Sequence, residues 1–257
     1  MTNSYQAPTV KKAFRILRAV SKNRHGMGVS ELSKRLSIGK STVFGILNAL
    51  EELGAVVRDP KTKTFTLGVT LFELGRAAYS RIDIKEIARP FMEGLMERAQ
   101  ESVFLGVRNG EHVTIIDIVE SMQDLKITAP VGTRIPLFAG ATGKVFMASM
   151  TEEKVAELIQ TKGISHFTKN TVVNPMRFME EIRAARRKGY ATDDEEYISG
   201  VRAVAAAIEG TRAFSSAIWV VGFKPRIDAR KMGLLVEETL KAARTISEKI
   251  QKTDAVQ

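Results

Sequence analysis

Cysteine is absent from this chain, which rules out disulfides, thiol nucleophiles and thiolate metal sites. Histidine is scarce: His25, His112 and His166 lie far apart, show no metal-ligand spacing, and read as surface or packing residues. No metal or cofactor is expected. Long hydrophobic runs are missing too. The longest uncharged apolar-rich stretch, Ala213–Phe223, falls short of the roughly 18 residues needed to span a bilayer. Met1–Pro8 lacks the apolar segment of a secretory signal, so the expected location is cytoplasmic, with no membrane partner.

What is present is ordinary in amount and uneven in placement. With 257 residues, 44% hydrophobic and 26% charged, the chain is long and apolar enough for two folded domains. Residues 1–70 carry 12 Lys/Arg against 4 Asp/Glu, and the remainder carries 27 against 25. The net charge of +10 therefore sits almost wholly on the first part of the chain. A basic segment on an otherwise balanced protein is the electrostatic footprint of phosphate binding.

Hydrophobic spacing in that basic part predicts three helices. Val10, Ala13, Phe14, Leu17 and Val20 share one face of the first, which Asn23 and Gly26 end. Val29, Leu32 and Leu36 mark a short second helix, with Ser30 placed to cap it. After a break at Ser37-Ile38-Gly39, one face of the third carries Val43, Ile46, Leu47, Leu50 and Leu53, and Gly54 stops it. The opposite face shows Ser41, Phe44, Gly45, Asn48 and Glu52. Two short runs, 55–58 and 64–67, joined by Asp59-Pro-Lys-Thr-Lys63, predict a hairpin. Helix, turn, helix and basic ribbon make a winged helix-turn-helix, a shape whose second motif helix enters the DNA major groove.

Val69, Leu71, Phe72, Leu74 and Ala78 predict a linker helix with no core of its own, packed on a partner subunit, before a boundary near Ile82-Asp83. Beyond it, helices are expected at 84–100 (kinked or started late by Pro90), 141–150, 152–161, 175–188 and 227–251. Strands are expected at 103–108, 112–119, 125–130, 190–194, 202–209 and 214–223. Asn109-Gly110 is a hairpin signal, and Asn174, Pro175 and Gly189 are cap, first-turn and stop residues of one helix. The fold class is α+β: a winged helix-turn-helix over 1–67, a linker helix over 68–82, and a domain over 83–257 with a six-stranded antiparallel sheet flanked by helices.

Four motifs carry a resemblance. They are Lys40-Ser-Thr-Val-Phe44; Phe65-Thr-Leu-Gly68; Gly132-Thr-Arg-Ile-Pro-Leu137 ahead of Gly143-Lys144; and Gly189-Tyr-Ala-Thr-Asp-Asp-Glu-Glu196 ahead of Gly200-Val-Arg202. In this order and spacing the chain resembles the IclR family of transcriptional regulators over nearly its whole length. The resemblance implies a C-terminal GAF-like effector domain, and dimers or tetramers that control catabolic operons.

The third helix offers Lys40, Ser41 and Thr42 to phosphates or base edges, with Phe44 and Asn48 deeper in the groove. Asparagine pairs bidentately with adenine, and an aromatic ring packs on a thymine methyl. Core packing is the alternative for Phe44. Gly45 stands where many members carry a large polar residue, often arginine, so a base contact is lost there. Arg58, Lys61 and Lys63 of the wing are phosphate contacts or ordinary solvated charges. A dimer is expected to read a pseudo-palindrome.

Leu137, Phe138, Ala139, Gly140, Ala141, Thr142 and Gly143 put small residues where a helix begins. Its free N–H groups and positive dipole end suit an anion. Close packing of that helix on the sheet is the alternative. The resemblance favours the site and adds Asp193, Ala203, Trp219 and Val221. Relatives that bind small polar acids often carry Ser, Thr or Cys on those last strands. Ala203, Trp219 and Val221 therefore imply a larger, apolar or aromatic organic acid, although Trp219 equally suits a core position. The expected partners are double-stranded operator DNA, a small organic-acid effector and further copies of the chain, as a homodimer or homotetramer.

Two rival readings are weaker. A GAF-like enzyme would need a redox cysteine or a nucleophile–base pair; neither is present, and Asp193–Glu196 reads as a solvated acidic turn. No enzymatic activity is expected. A DNA-binding protein without an effector would not need so large and nearly neutral a second domain.

Overall fold

The computed structural model describes residues 7–79, 84–210 and 215–254. The expected end of the linker at 80–82, the boundary at Asp83 and the expected strand start at Phe214 lie outside the described residues. The chain divides into two compact units, Met1–Ile82 and Asp83–Gln257.

In the first unit, α1 (Pro8–Val20), α2 (Val29–Leu36) and α3 (Lys40–Glu52) precede a two-stranded ribbon of β1 (Val56–Arg58) and β2 (Phe65–Leu67), then α4 (Val69–Tyr79). Ile16, Val20, Leu32, Val43, Leu47 and Phe65 form the buried centre. The Met27 and Phe65 backbones exchange N–H···O bonds of 3.0 Å, which ties the helical segment to the ribbon. Ser37 adopts the left-handed conformation in the α2–α3 turn, and Ser33 Oγ donates to Ile38 O (2.7 Å) while the Ile38 side chain plugs the core.

Three expectations need correction here. Ser30 does not cap α2: the N-cap is Gly28, without a side-chain bond, so Ser30 lies inside the first turn. Val10 and Phe14 are exposed, because the buried face of α1 runs through Ile16, Ala19 and Val20. Leu53, past the end of α3, is exposed too.

The Phe65-Thr-Leu-Gly68 motif has a packing reason. Gly68 N–H donates to Ala55 O (2.9 Å), and a Cβ there would overlap the Gly54 carbonyl. Gly68→Ala is expected to destabilise the first unit by about 1–3 kcal/mol, the usual cost of forcing a methyl into packed structure. A circular-dichroism melt unchanged from wild type would contradict this.

The second unit holds α5 (Ile84–Ala99), β3 (Ser102–Asn109), β4 (His112–Val119), β5 (Arg134–Pro136), α6 (Gly140–Ala148), α7 (Glu152–Lys162), α8 (Pro175–Lys188), β6 (Tyr190–Asp194), β7 (Val201–Ile208), β8 (Ser216–Phe223) and α9 (Ala229–Asp254). The six strands form one antiparallel sheet in the order β5-β4-β3-β8-β7-β6. Helices α5 and α9 cover one face and α6 and α8 the other. Pleat alternation divides the residues between the two faces. Val103, Leu105, Val204, Ile218 and Val220 share the α5/α9 face, whereas Ala191, Ala203, Ala205 and Ala217 underlie α6 and let it approach closely.

Pro90 sits inside α5, which begins at Ile84, so it does not start the helix late. The strand expected at 125–130 is not formed. β5 lies later, at Arg134–Pro136, and pairs with β4 through Val113↔Ile135. That pairing occupies the β4 edge, so the alternating run at 125–130 has no partner; Leu125 is exposed and its carbonyl accepts from Arg226 Nη1 (3.1 Å).

Candidate nucleic-acid interface and effector site

Helix α3 buries Val43, Ile46 and Leu47 and turns its other side outward. Lys40, Ser41, Thr42, Phe44 and Gly45 are exposed, and Asn48 is half-buried on the same side. Phe44 is 45% exposed, which removes core packing as its role. No side chain caps α3 at Gly39, so the first-turn N–H groups are offered outward beside Lys40. One rigid helix thus presents an amide, an aromatic ring and free N–H groups outward, with no carboxylate in its first turn.

The wing is less uniform than its sequence. Lys61 and Lys63 are exposed in the loop, which Asp59 organises by accepting from the Lys61 (2.7 Å) and Thr62 (2.9 Å) N–H groups. Those bonds hold the Asp59 carboxyl below its ordinary value, Thr62 contributing most. Arg58 differs. Its guanidinium lies 5.7 Å from the Phe65 ring centroid, and Nε is buried with no hydrogen-bond partner among the described residues. Lys34 and Arg35 add exposed charge in the last turn of α2, where a basic pair ending a short helix is the sequence signal.

In the second unit, sheet register brings several candidate residues together. Asp193 pairs with Ala203, which pairs with Val221; one step along the same face, Ala205 pairs with Trp219, which pairs with Phe104. Leu137, Phe138, Ala139, Gly140, Ala141, Thr142 and Gly143 are all buried where α6 begins above this face. A Cβ on Gly143 would overlap the Leu137 carbonyl, so close packing explains part of this small-residue run. Gly140, at φ +47°, has a second constraint: a Cβ there would overlap Asp193 Oδ2. The protein's own carboxyl thus lies against the α6 N-terminus. Trp219 is a core residue, stacked on Phe104 at 5.6 Å and 7°.

The acidic turn is only partly solvated: Asp194 stays exposed, but Asp193 is buried, Glu195 and Glu196 are half-buried, and each carboxylate has a partner. Asp193 accepts from Glu196 N–H (2.6 Å), Asp194 takes a bidentate bond from Arg202 (2.7 and 3.0 Å), and Glu195 pairs with Lys224. Glu196 pairs with Lys144 (2.6 Å). The Gly189–Glu196 and Gly200–Arg202 motifs are two sides of one ion-paired corner. Burial pushes the Asp193 and Glu196 carboxyls above their ordinary values, with the Lys144 charge opposing it. The Arg202 hydrogen bond draws Asp194 the other way.

Lys144 enters the sequence reading only as part of a motif, without a role. It is 3% exposed, also pairs with Glu181 (2.5 Å) and donates to Thr192 O (3.2 Å). The signal was a lone lysine in an otherwise uncharged, buried helix. Among the described residues, no cluster of His, Asp or Glu could hold a metal, and no helix is long and apolar enough to cross a membrane.

Two family models match the chain. One, described as the IclR helix-turn-helix domain, covers residues 9–60; the other, described as the bacterial transcriptional regulator IclR C-terminal, covers residues 76–248. The chain belongs to the IclR family. It is 30% identical over 245 residues to the HTH-type transcriptional repressor AllR of Escherichia coli, covering 94% of this chain and 89% of AllR. A putative IclR regulator from a Silicibacter species superposes with a TM-score of 0.84 at 22% identity, covering 95% of this chain and 96% of the other. An IclR homolog from Microbacterium hydrocarbonoxydans, complexed with 4-hydroxybenzoate, gives 0.79 at 20% identity, covering 95% and 99%. Membership in the IclR family makes this chain a transcriptional regulator with an N-terminal DNA-binding domain, and no enzyme.

Proposed function

We propose that the chain is a cytoplasmic, sequence-specific repressor that releases its operator when an apolar or aromatic organic acid binds the second unit. The observation that carries the DNA half is the outward strip of Lys40, Ser41, Thr42, Phe44, Gly45 and Asn48 on α3. Lys61 and Lys63 would add phosphate contacts from the wing, and Arg58, set against Phe65, a weaker one. Gly45 narrows readout, since it has no side chain to reach a base.

The effector half rests on the buried α6 start, Asp193 and the Ala203–Val221 row. A carboxylic acid arriving there meets α6 backbone donors and an Asp193 carboxyl biased by burial toward its neutral form. The alanine and valine provide little hydrogen bonding, which favours an apolar body. The relative complexed with 4-hydroxybenzoate is consistent with an aromatic acid.

A dimer is proposed from the apolar surface of the first unit. Phe14 is 58% exposed on α1, and Val69, Phe72 and Leu74 are exposed on α4. Such side chains are costly to leave in water and fit burial against a second copy. Because α4 precedes the second unit in the chain, we place the coupling route there, with a coupling free energy of about 1–3 kcal/mol. Leu71→Ala/Leu74→Ala is expected to keep operator binding and lose effector response; unchanged release in reporter or anisotropy assays would contradict that route.

The test of the effector reading is a release assay on operator-bound protein with 4-hydroxybenzoate, benzoate, hexanoate and glyoxylate. Release by the aromatic or aliphatic acids supports it. Release by glyoxylate alone would sink it.

A further inference from the structure

The C-terminal end of α6 borders a cavity of about 600 Å³, between α6, α8 and the ends of β3, β7 and β8. Helix α6 has nine residues, which puts this end about 13 Å from Gly140 at 1.5 Å per residue. The apolar wall includes Val145, Phe146 and Ala207, and the polar wall includes Arg108, Arg186 and Ser149. The cavity lies within the size range of small-molecule sites.

Its two guanidinium groups are in different states. Arg186 is committed: Nε donates to Ala148 O (2.9 Å) and Nη2 to Met150 O (2.6 Å), which caps α6, and Nη1 reaches Glu152 (3.5 Å). Arg108 is not. Its backbone N–H donates to Ser215 O (3.0 Å), but its Nε is buried without a hydrogen-bond partner among the described residues. Arg108 is half-buried, so the cost falls on this one unpaired N–H, while the rest of the guanidinium remains open to the cavity. The planar guanidinium fork matches the two oxygens of a carboxylate. Glu209, exposed at the lining, adds a negative charge that disfavours multiply charged anions such as phosphate.

We propose that this cavity is a second small-molecule site, which binds an organic monocarboxylate through Arg108 and packs its apolar part against Val145 and Phe146. Binding here needs no ligand at Asp193, so the same α6 helix carries one site at each end.

Arginine labelling by phenylglyoxal on the full wild-type chain, read by mass spectrometry, tests this with hexanoate and inorganic phosphate as probes. Hexanoate is expected to slow labelling of Arg108 several-fold. Calorimetry on Arg108→Gln is expected to show hexanoate binding at this site weakened by about tenfold or more, the loss of a hydrogen bond to a charged group. Asp193→Asn is expected to leave Arg108 protection intact. The Arg108→Gln melt should equal or exceed that of wild type, since the half-buried guanidinium makes no hydrogen bond among the described residues that glutamine would forfeit. Equal Arg108 labelling with and without hexanoate would overturn the proposal, and protection by phosphate in place of hexanoate would overturn the assignment to a monocarboxylate.

Discussion

Lys144→Met is expected to destabilise the second unit by about 3–5 kcal/mol, the range for removing one partner from a buried ion pair. Methionine keeps most of the aliphatic stem, so lost packing contributes little. What is lost is the charge that Glu181, Glu196 and the Thr192 carbonyl share. Asp193 loses a nearby positive charge as well. The effect depends on pH with a definite sign. Asp193 and Glu196 both hold protons more tightly in the folded protein than in the unfolded chain. Stability from such raised groups is present at low pH and is lost as pH rises through their folded values. Without Lys144 the shift widens, so the deficit is larger at neutral pH and shrinks as pH falls and the two carboxyls take up protons. Denaturant titrations of both proteins at the two pH values check this. A loss equal at both, or no loss at all, would contradict it.

Asn48→Ala is expected to weaken operator binding by about 1–3 kcal/mol per half-site, the worth of a bidentate contact to adenine, while binding to unrelated DNA stays unchanged. In a dimer reading two half-sites the loss doubles. Lys61→Ala and Lys63→Ala should behave oppositely, weakening operator and unrelated DNA alike. Each phosphate contact removed should lower the salt dependence by about 0.9 in the log–log slope. Binding measured at several salt concentrations separates the two classes. Uniform weakening by Asn48→Ala would make it a positioning contact and not a base reader.

The first unit was largely legible because its period, charge and turn residues agree. The same face of α3 that spacing marked as apolar, Val43, Ile46 and Leu47, is buried. Helix α8 begins at Pro175 behind an Asn174 cap and ends at Gly189, as those residues dictate. Failures came where a long-range competitor decides the outcome. The run at 125–130 alternates well enough for a strand, yet whether it pairs depends on β5 taking the β4 edge first. Phe14 follows the helical period of α1 but points away from the core, because periodicity cannot separate a face that meets this chain from one left exposed. In the candidate effector region the sequence names positions but not their surroundings. Spacing cannot show that the Asp193 carboxyl lies against Gly140, or that Lys144 is buried between two glutamates. Arg108 gives no sequence signal, since the cavity it lines forms only where three strand ends meet two helices.

The most direct test of the central claim is a fluorescence-anisotropy titration of the full-length protein against DNA from upstream of its own gene, beside scrambled DNA, at two salt concentrations. Binding to the upstream DNA roughly a thousandfold or more tighter than to the scrambled control is the predicted result, with the weaker complex falling off more steeply in salt. No binding to either DNA at low salt would contradict the account.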